Sequence, residues 1–193
     1  MWNYLKSLKD NDVFVDVGAH IGLYTCYAAR MLKRGKVIAI EPHPEDFNFL
    51  LLNIKLNKLR NVIALNLAAW KEDTELLLYV ADNSGGHTLK STTARRRVCV
   101  VRGRRFDDVI CELGISKVSL VKIDVEGAEV EVLEGLRNTL KIHRPKLIVE
   151  VWRDNADAVR RFLEDLNYSI QKVPGSISKD SYYLYATSSS SLR

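Results

Sequence analysis

Long hydrophobic runs are missing from this 193-residue chain. None reaches the roughly 18 consecutive apolar residues of a membrane-spanning helix, so no span is expected. Cysteine is scarce: Cys26, Cys99 and Cys111 stand far apart, with no C-x-x-C pair and no Cys/His spacing. That excludes a disulfide-stapled scaffold, fits a reducing compartment and offers no zinc motif. The first residues, Met1 to Asp12, carry Lys6 and Lys9 but no apolar core of a signal peptide. A cytoplasmic protein without a metal site is the expectation. With 47% hydrophobic and 27% charged residues the composition is that of a globular chain, which excludes disorder and a collagen-like fibre. The length suits one domain, expected over residues 1–187 with 188–193 as a frayed tail.

Acid is absent from one stretch. Between Ser84 and Phe106 lie Lys90, Arg95, Arg96, Arg97, Arg102, Arg104 and Arg105 and no Asp or Glu, so these residues account for the net charge of +5. A local basic patch suits an anionic partner. It equally suits a solvated edge hairpin whose arginines discourage aggregation. Both readings stand on the sequence alone.

What is present is strand–helix alternation. Nearly continuous apolar runs at Val13–Val17, Val37–Glu41, Val62–Leu67, Val118–Val125 and Leu147–Val151 suit parallel strands covered on both faces. Helical stripes fill most gaps: Phe47, Leu50, Leu51 and Ile54; Val132, Leu133, Leu136 and Leu140; and Val159, Phe162, Leu163 and Leu166 behind an Asp154 N-cap. Pro44 followed by Glu45 and Asp46 marks a helix start. The fold class is therefore α/β, a doubly wound and mostly parallel sheet. The alternation breaks between Glu75 and Arg105, where Leu76–Val80 and Val98–Val101 read as an antiparallel excursion between the third and fourth core strands. Tyr168–Val173 and Tyr182–Thr187, separated by Pro174-Gly175, read as a closing hairpin.

The first strand runs into Asp16-Val-Gly-Ala-His-Ile-Gly22 and then a helix. Such a turn brings backbone N–H groups close to a ligand. Its spacing is G-x-x-x-G, so the dinucleotide fingerprint is not met. The second strand ends at Glu41, where an acid can accept hydrogen bonds from ribose hydroxyls or serve only as an acid ahead of the Pro44 helix. Asp16, Glu41 and Asp124 all end parallel strands and should face one crevice. Lys122 shares a face with Asp124 and needs a carboxylate partner if buried. Glu126 and Glu129 are either site acids or caps on the next helix. His87, in Asn83-Ser-Gly-Gly-His-Thr88, is either a general base or a surface-loop histidine. His20 should pack or cap within the glycine loop. Glu150 lines the crevice or pairs with an arginine, and Tyr182, Tyr183 and Tyr185 should fill a strand.

Asp16–Gly22, Glu41-Pro42 and Val121-Lys-Ile-Asp-Val-Glu-Gly-Ala-Glu129 together resemble the motifs of FkbM-type, S-adenosylmethionine-dependent methyltransferases. The resemblance covers about Val13 to Trp152 and is most specific at Lys122–Glu129. It implies a Rossmann-like class I methyltransferase fold with a seven-stranded sheet. The cofactor set it implies is Asp16, Gly18, Ala19, His20, Gly22, Glu41, Pro42 and Ala68. Asp16, Gly18 and Gly22 would flank the methionine end, Glu41 would hold the ribose, and Ala68 would lie near the adenine. Asp124, Glu126 and His87 are the candidates for the methyl-transfer end, because the region around His87 would face the acceptor.

The function expected is O-methylation of a hydroxyl on a small, anionic metabolite or glycan. The preference for oxygen rests on the resemblance, and the preference for an anion rests on the arginines. An RNA or tRNA methyltransferase is the first alternative; no aromatic residue lies between Leu89 and Val101 to stack on bases. A nucleoside-binding protein without turnover is the second.

Overall fold

The structure is a computed structural model that describes residues 1–81, 86–91 and 97–188. In chain order the elements are α1 (Trp2–Leu5), β1 (Val13–Val17), α2 (Leu23–Met31), β2 (Lys36–Ile40), α3 (Pro44–Leu56), β3 (Val62–Leu65), β4 (Ala68–Trp70) and β5 (Thr74–Val80). There follow β6 (Arg97–Arg105), α4 (Phe106–Glu112), β7 (Leu120–Ile123), α5 (Glu129–Gly135), α6 (Arg137–His143) and β8 (Lys146–Trp152). A 3-10 turn at Arg153–Asn155 leads to α7 (Ala156–Asp165), β9 (Tyr168–Ile177) and β10 (Ser181–Ser188).

Seven strands form one sheet in the order β3-β2-β1-β7-β8-β10-β9. The first five pair in parallel, and β10 and β9 close the sheet antiparallel. Apolar residues cover both faces, which is why these runs are continuous rather than alternating. In β1, Val15 and Val17 enter the cluster under α4–α7, whereas Phe14 enters the one under α1 and α2. The chain runs outward in both directions from the neighbouring strands β1 and β7. Their carboxyl ends are the switch point where an open α/β sheet forms a crevice.

Several expectations need correction. The third strand stops at Leu65, and Ala68–Trp70 leaves the main sheet for a second one of order β4-β6-β5. There β5 and β6 pair antiparallel as expected, but β4 pairs parallel with β6. The arginine-bearing β6 is thus the middle strand, not an edge. The stripe from Val132 to Leu140 is buried throughout but belongs to two helices. The break falls where Gly135 lies against the backbone of β4, so close that a Cβ would sit 1.8 Å from the Trp70 carbonyl oxygen. Leu51, assigned to a buried stripe, is exposed on α3.

Asp154 does not cap α7. Asn155 occupies that position, and its side chain instead bonds the Gly127 carbonyl and Glu129. Pro174 and Gly175 lie within β9, an edge strand that tolerates a missing N–H. The hairpin turns instead around Ser178–Asp180. Ser188, expected in the tail, pairs with Tyr168; residues 189–193 lie outside the described ones, as do Arg95 and Arg96. Among the described residues no helix is long and apolar enough to cross a membrane.

Candidate active site

Over the carboxyl ends of β1, β2, β7 and β8 lies a cavity of about 270 Å3, roofed by Leu78 of the second sheet and by His87 and Leu89, which flank the Tyr79–Thr88 bridge. Every candidate residue named from the sequence lines it except Glu129, which supports the β8 end, and the pair Asp16 and Gly22. Those two stand behind it. Gly22 precedes α2 with φ of 89°, a conformation that favours glycine, and a Cβ there would meet Leu50. At Gly18, φ is 73° and a Cβ would lie 1.8 Å from the Asp124 carbonyl oxygen. Only glycine lets β1 and β7 turn away from each other at that distance.

Lys122, 2% exposed, joins the two strands from behind. The register places it opposite Asp16. Its Nζ lies 3.2 Å from Asp16 Oδ1 and 3.4 Å from Asp124 Oδ2, and donates to the Gly18 carbonyl at 2.9 Å. Burial works against the charge, but the two carboxylates overcome it and hold the ammonium above its usual range. Asp16, fully buried, also accepts from Thr25 Oγ1 at 2.7 Å. The carboxylate partner expected for Lys122 is therefore double, and it connects the glycine loop to the acid at the end of β7.

At the β2 end, Glu41 accepts from the His20 N–H at 2.8 Å and the His43 N–H at 2.9 Å. Burial pushes its carboxyl up to about 7 against those two donors. His20 adopts a positive φ of 52°, which turns its N–H onto Glu41. Beyond Glu41, the rings of His43 and His87 meet at a tilt, with centroids 4.1 Å apart, beside Asp46. His87 Nδ1 accepts from the Ala81 N–H at 2.9 Å, so its ring hydrogen is on Nε2, 3.0 Å from Asp46 Oδ2. Burial and the neighbouring His43 lower its affinity for a second proton. Both ring nitrogens are engaged. In this arrangement His87 lines the cavity and fastens its roof to α3. The hydrogen on Nε2 also argues against a metal held by His43, Asp46 and His87, because a ligating nitrogen must be bare.

At the β8 end the lining is acidic. The carboxylates of Asp124, Glu126 and Glu150 approach within 4.8 Å of one another. Tyr183 OH donates to Asp124 at 2.9 Å and lies 3.3 Å from Glu150, and Ser181 Oγ donates to Glu150 at 2.6 Å. Burial raises both carboxyls, but Lys122 reverses that for Asp124 and holds it ionised. Glu150 has burial and the Asp124 charge acting together and is pushed up to about 8. Glu126, at φ of 50°, gives its carbonyl to Thr88 Oγ1 at 2.6 Å, a second fastening of the roof. Glu129 is fully buried and belongs to this support: it accepts from the Gly127 and Trp152 N–H groups and from Asn155.

Tyr24 and Tyr183 are cavity or site residues that the sequence reading assigned elsewhere or passed over. Tyr183 alternates like any strand residue, and only its register opposite Glu150 reveals its role. Glu150 pairs with hydroxyls rather than an arginine. The described cations of the basic run mostly find acids outside it: Arg104 with Asp73 and Glu112, Arg105 with Asp107, and Lys90 with Glu131. Among the described residues no arginine lines the cavity.

A seven-stranded sheet of this order, with an acid ending β2 and a glycine loop after β1, defines a class I methyltransferase fold. The family model of the methyltransferase FkbM domain matches residues 16–170, and the chain belongs to that family, whose methyl donor is S-adenosylmethionine. The methyltransferase sdnD of Sordaria araneosa is 29% identical over 201 residues, covering 87% of this chain and 78% of that one. The hexuronic acid methyltransferase AglP of Haloferax volcanii is 29% identical over 138 residues, covering 71% of this chain and 55% of its own length. The crystal structure of a methyltransferase FkbM from Methylobacillus flagellatus superimposes with a TM-score of 0.69 at 20% identity, over 94% of this chain and 45% of that one. The chain thus spans about half the length of the latter two.

Proposed function

We propose that this protein transfers the methyl group of S-adenosylmethionine to a hydroxyl oxygen of a small metabolite or glycan. The observation that carries the reading is the placement, in one cavity, of a buried strand-end acid at Glu41 and of Asp124 and Glu150, which Tyr183 joins by its hydroxyl. The residues fit the cofactor. Glu41, once ionised, can accept from ribose hydroxyls; the 18–22 loop offers backbone to the methionine end. Ala68, Leu78 and Leu89 give an apolar wall suited to adenine. Asp16 and Gly22 support this end from behind rather than lining it, and Pro42 and Ala19 complete its wall.

When bound, the cofactor supplies an electrophilic methyl on a sulfonium. The chain supplies position and charge: attack on such a carbon is in line, so most of the acceleration can come from holding the acceptor oxygen still. Lys122 keeps Asp124 anionic beside that oxygen. His87 and Thr88 fasten the roof and exclude water. The hexuronic acid named for AglP favours a sugar acceptor. An anionic acceptor, expected from the arginine run, draws no support from the acid-lined cavity, and the run's Arg95 and Arg96 lie outside the described residues. RNA as acceptor draws on the same arginines and is not favoured.

Incubation with a methyl-labelled donor and extracts of host metabolites, glycans and RNA tests the reading. The expected result is S-adenosylhomocysteine and a labelled methyl ether in the small-molecule or glycan fraction, identified by mass spectrometry. Label in RNA would replace the acceptor class, and cofactor binding without turnover would make the protein a binder.

A further inference from the structure

Resting on that reading, we propose that Glu150, rather than Asp124, takes the proton of the acceptor hydroxyl, and that the acceptor is accordingly an un-ionised alcohol and not a carboxylate. Three observations point there. First, Asp124 is already neutralised: Lys122 Nζ lies 3.4 Å away and Tyr183 OH donates to it at 2.9 Å. A carboxylate so paired holds a proton poorly. Second, Glu150 lines the same cavity, one step beyond the Ile123–Val149 pair that sets the two acids side by side. From β10 it meets Ser181 and Tyr183, and from β7 and its following loop it meets Asp124 and Glu126; the charge on Lys122 is directed to Asp124 and Asp16. From α2 the facing group is Tyr24, itself held protonated by burial. Glu150 is thus the more basic member of the pair. Third, an acceptor already ionised as a carboxylate would need no base and would meet three acids within 4.8 Å of one another.

The step balances as follows. The acceptor O–H breaks and its proton passes to a Glu150 carboxylate oxygen. The oxygen lone pair forms the new O–CH3 bond as the S–CH3 bond breaks, and that electron pair returns to sulfur, turning the sulfonium into a thioether. Tyr183 donates to Asp124 and so keeps this carboxylate from competing for the proton. Because Glu150 holds its proton up to about pH 8, it is competent as a base only above that pH, and the rate rises with pH through about 8.

The test uses the intact chain, a methyl-labelled donor and three probes: methyl hexopyranosides, the matching methyl hexuronates and benzoate. Wild type should form methyl ethers on a hydroxyl probe, with kcat/KM about tenfold lower at pH 7 than at pH 9. Glu150→Gln should lower kcat about 100-fold or more, with acceptor KM changed less than about threefold, and Glu150→Asp should restore part of the rate. Two readouts are independent of turnover. S-adenosylhomocysteine affinity should be unchanged in Glu150→Gln, and isotope-edited infrared spectra should show a carboxylic-acid carbonyl band that disappears near pH 8 in wild type and is missing in the variant. Full activity in Glu150→Gln, or a methyl ester formed on hexuronate or benzoate, overturns the proposal. So does wild type that binds S-adenosylhomocysteine yet methylates none of the probes. Wild type that binds no S-adenosylhomocysteine overturns instead the methyltransferase reading on which the proposal rests.

Discussion

At its β2 end the cavity is shaped by backbone, and at its β8 end by side chains. Glu41 engages the N–H groups of His20 and His43, and the 18–22 loop approaches β7 closely enough to require glycine. All these residues lie within two short segments that follow consecutive strands. At the other end Asp124 directly follows β7, Glu150 and Tyr183 lie on β8 and β10, and the three meet only through the sheet. The first end suits a ligand of fixed form. The second depends on pairwise side-chain placement, which can change with the acceptor while the fold stays. Lys122 is the link, with a carboxylate from each end on its ammonium.

The largest effect should come from cutting that link. Lys122→Met leaves Asp16 and Asp124 buried without their counter-charge and should cost about 3–5 kcal/mol in chemical denaturation. A loss below about 1 kcal/mol would show that the two ends are independent. Next, Glu41→Gln should weaken S-adenosylhomocysteine binding by about 1.5–3 kcal/mol, read by calorimetry. Glutamine is the informative change, because alanine would orphan both backbone donors. The same carboxyl gives a pH signature. Its folded pKa is raised to about 7, so protonation stabilises the free protein and that contribution is lost as pH rises through about 7, whereas ribose binding needs the carboxylate. Affinity should therefore rise up to about tenfold between pH 6 and 8 in wild type and stay flat in Glu41→Gln. The smallest effect is on the roof: Thr88→Val removes the hydrogen bond to the Glu126 carbonyl and should cost about 1 kcal/mol of stability.

The same contrast explains what could be read from the sequence. Continuous apolar runs gave the parallel strands because both faces of β1, β2, β7 and β8 are covered. The Asp16–Gly22 and Glu41-Pro42 segments were legible because a tight strand–helix turn and a strand-end acid are local events. The second sheet was half visible: β5 and β6 show as short apolar runs without a helical stripe, but Ala68–Trp70 is too short to be separated from the Val62–Leu67 run. Helix α4 carries only a short stripe and was missed. Tyr183 and Glu150 were invisible as a pair, since their partnership is set by the register of β10 on β8, at a separation of 33 positions along the chain. The place of His87 beside Asp46 and His43 was not legible, because loop membership says nothing about which flank of the crevice a loop covers. Asp46, its anchor, read only as a first-turn acid of α3.

The central claim is that the cavity has a cofactor end at Glu41 and a proton-accepting acceptor end at Glu150. Cofactor affinity and single-turnover methyl transfer, measured side by side in Glu41→Gln and Glu150→Gln, test it most directly. The account predicts that Glu41→Gln loses affinity with a smaller loss of the saturated rate, while Glu150→Gln keeps its affinity and loses about 100-fold or more in the rate. Equal losses of both quantities in both variants would contradict it.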